Sequence, residues 1–165
     1  MTLSAPGRAI ALQETKEQQP GSYAVTFPPA GGAAEGRWTF TVSATDDQGA
    51  ASSATRRFSV NTTIGFVRVS PPAVTLPPRG RTIRISWRQA HPARVSVRVQ
   101  TLQGTLLRRV ANASYGPGLN AVVWNGIRKD GRRAFGGTYR VVVTATNAVG
   151  SVSLDRSLRI RRVAR

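Results

Sequence analysis

The sequence of 165 residues contains no cysteine and a single histidine. Without cysteine, a disulfide framework, a zinc site with thiolate ligands and a cysteine nucleophile are all excluded. The histidine, His91, is followed by Pro92 and is expected in a loop between strands. The chain also has no G-x-S-x-G motif that would present a nucleophilic serine. The sequence therefore gives no support for a Ser–His–Asp hydrolase.

Acidic residues are scarce as well, with seven in the whole chain. Residues 63–165 contain only Asp130 and Asp155. General acid–base catalysis by carboxylates needs two of them to converge on a substrate, and these two belong to different turn and strand contexts. We therefore predict that the chain is not an enzyme and has no catalytic residues.

The remaining acids raise the question of a metal site. Asp46 and Asp47, with Glu35 close in sequence, could hold calcium in a loop, but hard cations prefer six or more oxygen ligands. Two adjacent acids are more typical of a polar turn, so no metal site is predicted. No glycine-rich phosphate loop precedes a helical segment, so no cofactor is predicted either.

Long apolar runs are absent, since none approaches the roughly 20 residues that a membrane helix needs. The segment Met1–Arg8 lacks the basic start and apolar stretch of a signal peptide. We expect no membrane span, and we expect any export signal to lie outside this sequence.

What the sequence does contain is the alternation of apolar and polar residues that marks half-buried strands. In the first part the alternating runs are Tyr23/Val25/Phe27, Trp38/Phe40/Val42/Ala44 and Phe58/Val60. In the second part they are Phe66/Val67/Val69, Ile83/Ile85/Trp87, Val95/Val97/Val99, Leu106/Leu107/Val110, Val122/Trp124, Tyr139/Val141/Val143/Ala145 and Leu158/Ile160. No helical period of 3.6 residues is sustained, so we predict an all-β fold.

Two stretches of the chain repeat each other. Residues 36–45 match residues 137–146 in the order glycine, aromatic residue and alternating strand, and a polar turn with Gly49 or Gly150 follows each. A repeat of about 100 residues fits two copies of one β-sandwich domain. We predict tandem immunoglobulin-like modules, a first over residues 1–62 and a second over residues 63–165.

The first module has too few strands for a complete sandwich. Its strand candidates are roughly residues 8–13, 22–27, 37–45 and 54–61, whereas two stacked sheets of this fold need about seven strands. The sequence therefore predicts the C-terminal portion of an immunoglobulin-like domain, with the first module incomplete.

The net charge of +17 is concentrated in the second module. Residues 1–62 carry five basic and five acidic residues, whereas residues 63–165 carry 19 basic and two acidic residues. All but Lys16 and Lys129 of the basic residues are arginines. One interpretation is a genome rich in arginine codons, which gives a solvated basic surface. The alternative is a surface that binds anions.

The alternation indicates where some of these arginines point. Because the valines of three strands point inward, the intervening arginines should share one solvent face of a sheet. The members of this candidate anion-binding face are Arg94, Arg98, Arg140, Arg159 and Arg161, while Arg84 and Arg88 should face outward from the other sheet. Such a face could hold anionic cell-wall polymers, sulfated polysaccharides or nucleic acid phosphates. Nucleic acid is a weaker candidate because few outward aromatic residues could stack on bases.

The second module resembles a known family. The motifs that carry the resemblance are Trp124-Asn125-Gly126, Lys129-Asp130-Gly131, Gly136-Gly137-Thr138-Tyr139, Val143-Thr144-Ala145-Thr146-Asn147 and Gly150. They are similar to the immunoglobulin-like domain of the FlgD-type flagellar hook-capping protein, over residues 64–163. Asn125 stands where that pattern usually has aspartate. We expect a structural role for Trp124, Gly126, Gly131, Gly137, Tyr139 and Gly150.

The resemblance implies a function outside catalysis. It predicts a bacterial extracellular or cell-envelope location and a structural or adhesive spacer whose partners are the neighbouring domains of a larger surface protein. Three alternatives stay open: a module that binds anionic wall glycans, an accessory domain of a secreted hydrolase whose catalytic part is not in this sequence, and a hook-cap-like assembly factor.

Overall fold

The computed structural model describes residues 2–5, 8–11, 17, 19, 21–24, 34–75 and 82–161. The chain divides into two compact units, Met1–Asn61 and Thr62–Arg165, so the division falls one residue before the predicted boundary. Every regular element of the described residues is a β-strand, which confirms the predicted all-β class. Among those residues, no helix is long and apolar enough to cross a bilayer.

In the first unit, the described residues form one antiparallel sheet with the strand order β2-β1-β3-β4. Its strands are β1 (Thr2–Ala5), β2 (Arg8–Ala11), β3 (Gly36–Thr45) and β4 (Ala51–Val60). Trp38 on β3 is buried and lies opposite Phe58 on β4. Most of β4 is exposed, as befits an edge strand with solvent on both sides.

The strand predicted over residues 22–27 is wrong where it can be compared. Residues 22–24 are not in a strand, and Tyr23 is 54% exposed instead of facing a core. Its hydroxyl donates a hydrogen bond to the carbonyl of Gln19, four residues back. The Tyr23 hydroxyl is therefore satisfied by a local hydrogen bond, which the alternation of apolar residues does not predict. Val25 and Phe27 lie outside the described residues.

The second unit is a sandwich of two sheets, with the strand orders β10-β7-β5 and β6-β12-β11-β8-β9. The strands are β5 (Ile64–Ser70), β6 (Ala73–Thr75), β7 (Ile83–Gln89), β8 (Ala93–Thr101), β9 (Leu106–Tyr115), β10 (Gly118–Trp124), β11 (Gly137–Asn147) and β12 (Gly150–Arg161). All pairs are antiparallel except β6 with β12.

The inner faces of the two sheets meet in a dry core. The side chains with no exposed surface are Ile83, Ile85, Trp87, Val95, Val97, Val99, Val141, Val143, Ala145 and Leu158. β-branched side chains dominate because they pack well on a pleated surface. The buried Gln89 satisfies the polar atoms at the edge of this core: it accepts from Trp87 Nε1 at 3.1 Å and donates to the Tyr115 carbonyl at 2.7 Å.

The predicted internal repeat corresponds to two hairpins with equivalent pairing. Trp38 lies opposite Phe58 in the first hairpin, and Tyr139 lies opposite Leu158 in the second. Local hydrogen bonds repeat too. Trp38 Nε1 donates to the carbonyl four residues back at 2.7 Å, and Tyr139 Oη donates to the carbonyl four residues back, that of Phe135, at 2.8 Å.

The turns of the two hairpins also match. Asp46 Oδ1 accepts hydrogen bonds from the amides of Gln48 and Ala50. Asn147 Oδ1 accepts from the amides of Val149 and Gly150. Such Asx turns let a short side chain satisfy the backbone where the chain reverses. The sequence repeat therefore reflects one local hydrogen-bonding plan that is used twice.

One core assignment in the second unit is wrong. Phe66, which the alternation grouped with Val67 and Val69, is 73% exposed. The pairing of β5 with β7 shifts register between Gly65 and Arg68, and Phe66 has a φ of +54°. A β-bulge of this kind re-aims side chains, so the aromatic ring turns to solvent while Val67 stays buried.

We expect the Tyr139→Phe variant to lose about 1 kcal/mol of unfolding free energy, because it removes a neutral hydrogen bond and leaves the Phe135 carbonyl without it. Urea denaturation followed by tryptophan fluorescence measures this difference. Tyr115→Phe is the matched control, since no hydroxyl hydrogen bond of Tyr115 is found among the described residues. An equal loss in both variants would contradict the role of the Tyr139 hydroxyl.

The pH dependence of stability gives a second readout. Burial raises the pKa of the Tyr139 hydroxyl, with the Arg128 charge opposing it. A raised pKa in the folded state means that stability is complete below the ordinary tyrosine value of 10.0 and falls as the pH rises through the folded-state value. Tyr139→Phe should lack this alkaline component.

Candidate functional site

The outer face of the five-stranded sheet carries the predicted arginines. Arg140 on β11 lies opposite Gln100 on β8, and two residues later Val142 lies opposite Arg98. Arg98 and Arg140 are therefore diagonal neighbours on one face, about 7–8 Å apart at their backbones, within reach of long side chains. Both project to the solvent side because Val141 and Val143 fill the inner side.

The next strand extends this diagonal. Arg159 on β12 lies opposite Thr138, which places it diagonally from Arg140 across the β11–β12 pair. Arg161 follows two residues later on the same face, opposite Thr75 of the edge strand β6. Because side chains alternate between the two faces of a sheet, arginines from β8, β11 and β12 form one oblique row on the outer face.

A fifth arginine joins from β9. Arg109 lies opposite Arg98, because two register shifts in the β8–β9 pair place one extra residue at each of two points of β9. We call Arg98, Arg109, Arg140, Arg159 and Arg161 the arginine band. Arg109 was not among the predicted arginines because the bulges break the alternation of this strand. The available signal was the adjacent pair Arg108-Arg109, since neighbouring residues on a strand face opposite sides.

Arg94 is not part of the band. Ser96 lies between it and Arg98 on β8, so the two arginines are separated by about 14 Å along the strand, whereas each member of the band has another member within about 8 Å. Arg94 Nε donates a hydrogen bond to Asn112 Oδ1 at 3.2 Å. The predicted five-residue face therefore contains a continuous row of four arginines and Arg94 apart from it.

The donors of the band are only partly engaged within the chain. Arg98 Nη2 lies 3.5 Å from Thr144 Oγ1, and Arg98 Nε is buried without a hydrogen-bond partner in the described structure. Arg140 Nε lies 3.6 Å from Asp155 Oδ2, a loose ion pair in which both side chains are about half exposed. A guanidinium has five N–H donors, so many N–H groups of the band can donate hydrogen bonds to an anionic ligand.

The residues of the family motif lie elsewhere, at one end of the sandwich. Trp124 is buried, and its Nε1 donates to the Ile127 carbonyl at 2.8 Å. Gly126 and Gly131 have φ values of +77° and +78° in the following turns, a region that favours glycine. These contacts fix the connection between β10 and β11.

A shallow cavity of about 260 Å³ lies beside this connection and is lined by Arg128, Asp130, Phe135 and Tyr139 among others. Arg128 stacks on Phe135 at 4.6 Å and pairs with Asp130. Desolvation opposes ionisation of Asp130, but the amide of Arg132 and the charge of Arg128 hold its pKa below the ordinary value. The Asp130 carboxylate therefore stabilises a turn through its hydrogen bond to the Arg132 amide and its ion pair with Arg128.

The other chemically versatile residues are dispersed. His91 is exposed in the loop between β7 and β8, and its carbonyl accepts a hydrogen bond from Gln89. Asp46 is used in its own turn. Within the described ranges, no three histidine or acidic side chains come together as metal ligands would.

Comparisons with known proteins return similar solved structures but no family. No protein family and no curated protein matches the sequence. Similar solved structures include FlgD from Pseudomonas aeruginosa, 21% identical with a TM-score of 0.43, where the match covers 51% of this chain and 66% of FlgD. Dimeric latent PorU from Porphyromonas gingivalis is 16% identical with a TM-score of 0.47, and the match covers 80% of this chain and 13% of PorU.

Among the described residues, Asp155 is the one acid on the outer face near the band, and we expect it to be dispensable for folding. Exposed ion pairs contribute about 0–1 kcal/mol, so Asp155→Asn should change the unfolding free energy by less than about 1 kcal/mol. Urea denaturation of this variant beside the native chain provides the measurement. A larger loss would mean that Asp155 holds the sheet together instead of only facing Arg140.

Proposed function

We propose that the chain is a non-catalytic immunoglobulin-like module of a bacterial surface or secreted protein and that its second unit binds anionic polymers through the arginine band. The observation that carries this proposal is the charge of one sheet face. Five arginines lie on four adjacent strands, and within the described part of the chain Asp155 is the one carboxylate beside them.

The form of the band favours a polymer over a small ligand. The strands are about 4.8 Å apart, so β12 and β9 at the two ends of the row are separated by about 14 Å. Four of the five arginines are exposed and Arg98 is half-buried, so the band is open to an extended ligand along its whole length. A chain with repeated sulfate, phosphate or carboxylate groups can contact several guanidinium groups at once, and each contact releases counterions.

The neighbouring side chains favour glycans and wall polymers over single-stranded nucleic acid. Around the band, the described outer face carries the nearly buried Val142 and otherwise mainly hydroxyl and amide groups, namely Ser96, Asn112, Thr144, Ser153 and Ser157. It offers no aromatic ring on which a base could stack. Hydroxyl and amide groups beside guanidinium groups suit a hydroxyl-rich anionic glycan.

In this proposal the chain acts as a structural and adhesive module at the cell envelope. The band would hold the second unit against an anionic wall polymer, and neighbouring domains of the same protein, a hydrolase domain among them, would be positioned by that contact. The rigidity of a sheet with a dry core supports such a positioning role, because its arginines keep fixed spacings.

Heparin affinity with a sodium chloride gradient tests the proposal on the full chain. The variant Arg98→Ser/Arg140→Ser/Arg159→Ser should elute at lower salt, and the slope of log K against log [NaCl] should fall in magnitude by about 2–3, since each lost contact accounts for about 0.7–0.9. Purified wall teichoic acid serves as a second probe that carries phosphate instead of sulfate.

The matched control removes the same charge from the first unit, through Arg37→Ser/Arg56→Ser/Arg57→Ser, all at exposed positions. It should leave the slope close to that of the native chain. Equal losses in the two triple variants would refute the band as the binding site and indicate attraction by net charge alone.

Removal of the single acid near the band should have the opposite effect. Asp155→Asn frees Arg140 from its ion pair and should raise the salt concentration of elution from heparin. Asp47→Asn, an exposed position in the first unit, changes the net charge equally and should shift elution less. If the order of these two variants is reversed, the proposed location of the site is wrong.

A further inference from the structure

The opposite sheet of the second unit has an outer face of different character. On the edge strand β10, Leu119 is 66% exposed and Val123 is 54% exposed. Both point outward because Trp124 and its alternate neighbours point to the core. Phe66 adds a largely exposed aromatic ring from the other edge strand of the same sheet, β5.

Two arginines lie on the central strand between these edges, and a third lies on the same edge strand as Phe66. Arg88 of the central strand β7 lies opposite Leu119, and Arg84 lies opposite Val123. Arg68 of β5 lies opposite Ser86, which has Ala121 on its other side. Small side chains therefore occupy the middle of the face, with guanidinium groups around them. We call Phe66, Arg68, Arg84, Arg88, Leu119 and Val123 the apolar–basic face.

Phe66 combines high exposure with an unusual backbone conformation. A bulky residue with φ of +54° adopts a conformation that L-amino acids other than glycine, asparagine and aspartate rarely use. The bulge between Gly65 and Arg68 imposes it. Strain of this kind at an exposed aromatic side chain, which gains no burial in return, is a feature of binding sites.

The geometry points to a docking surface for an acidic, partly apolar segment of a partner protein. Aromatic residues and arginines are enriched where proteins contact each other. The face has three cations, and among the described residues no carboxylate lies within ion-pair distance of them. Acidic side chains of the partner would pair with the arginines, while its apolar side chains would cover Phe66, Leu119 and Val123.

Charge complementarity selects this occupant over two others. Symmetric pairing of this face with the same face of a second copy would place arginine against arginine, which like-charge repulsion disfavours. A purely anionic polymer would satisfy the arginines and leave three large apolar side chains in water. The inference goes beyond the proposed function, since it concerns the other sheet and a different class of ligand.

Fluorescence anisotropy with synthetic peptides tests this inference on the full chain. The probe is a labelled peptide of about ten residues in which glutamate alternates with leucine, beside poly-glutamate of equal length and a lysine–leucine peptide. We expect the glutamate–leucine peptide to bind, and the double variant Leu119→Ser/Val123→Ser to weaken its binding at least about tenfold, as loss of central contacts does. Arg84→Ser/Arg88→Ser should weaken it similarly.

Phe66→Gly separates binding from folding. Glycine accepts the positive φ, so this variant should unfold at an equal or higher temperature than the native chain, yet bind the glutamate–leucine peptide at least about tenfold more weakly. The control Leu102→Ser/Val149→Ser removes exposed apolar side chains elsewhere and should bind normally. The triple variant of the arginine band should also retain peptide binding, and the Leu119 and Val123 variant should retain heparin binding.

Three results would overturn the inference. The first is equal binding of poly-glutamate and the glutamate–leucine peptide, which would reduce the face to a basic surface. The second is unchanged peptide affinity in the Phe66→Gly, Leu119→Ser/Val123→Ser and Arg84→Ser/Arg88→Ser variants. The third is self-association of the native chain in sedimentation that these substitutions abolish, which would make a second copy the occupant.

Discussion

The apolar core between the two sheets of the second unit is the constraint on which the other features depend. Val95 and Val97 on β8 are fully buried against the side chains of the three-stranded sheet, and a strand alternates sides with every residue. Arg94 and Arg98 must therefore face water. A slip of one residue would drive both guanidinium groups into the apolar interior, at a cost that no surface contact could offset.

The sequence pattern predicted which side chains are buried in the regular strands. It did not predict the orientation of side chains at β-bulges. Burial of Trp124 and Tyr139, the all-β class and the repeated hairpins follow from alternation and from turn residues. Phe66 and Arg109 could not be placed, because each lies at a bulge. The position of a bulge depends on which partner strand it faces, and a local pattern carries no information about the partner.

The sandwich gives the second unit two outer faces that differ in chemistry. The arginine band is surrounded by hydroxyl and amide groups, whereas the apolar–basic face is bordered by Phe66, Leu119 and Val123. The core lies between the two faces, about 10 Å thick from sheet to sheet. Two ligands bound to them would not compete for space, so contact with a polymer on one side and with a protein on the other could occur together.

The parallel pairing of β6 with β12 has a mechanical consequence. Arg159 lies opposite Ala73, and its amide donates to the Pro72 carbonyl at 2.9 Å. β6 follows the first strand of the unit and β12 is its last described strand, so tension applied at the two ends pulls this pair in shear. Hydrogen bonds that cross the pulling direction share the force and must break together, which resists stretching better than a pair that unzips bond by bond.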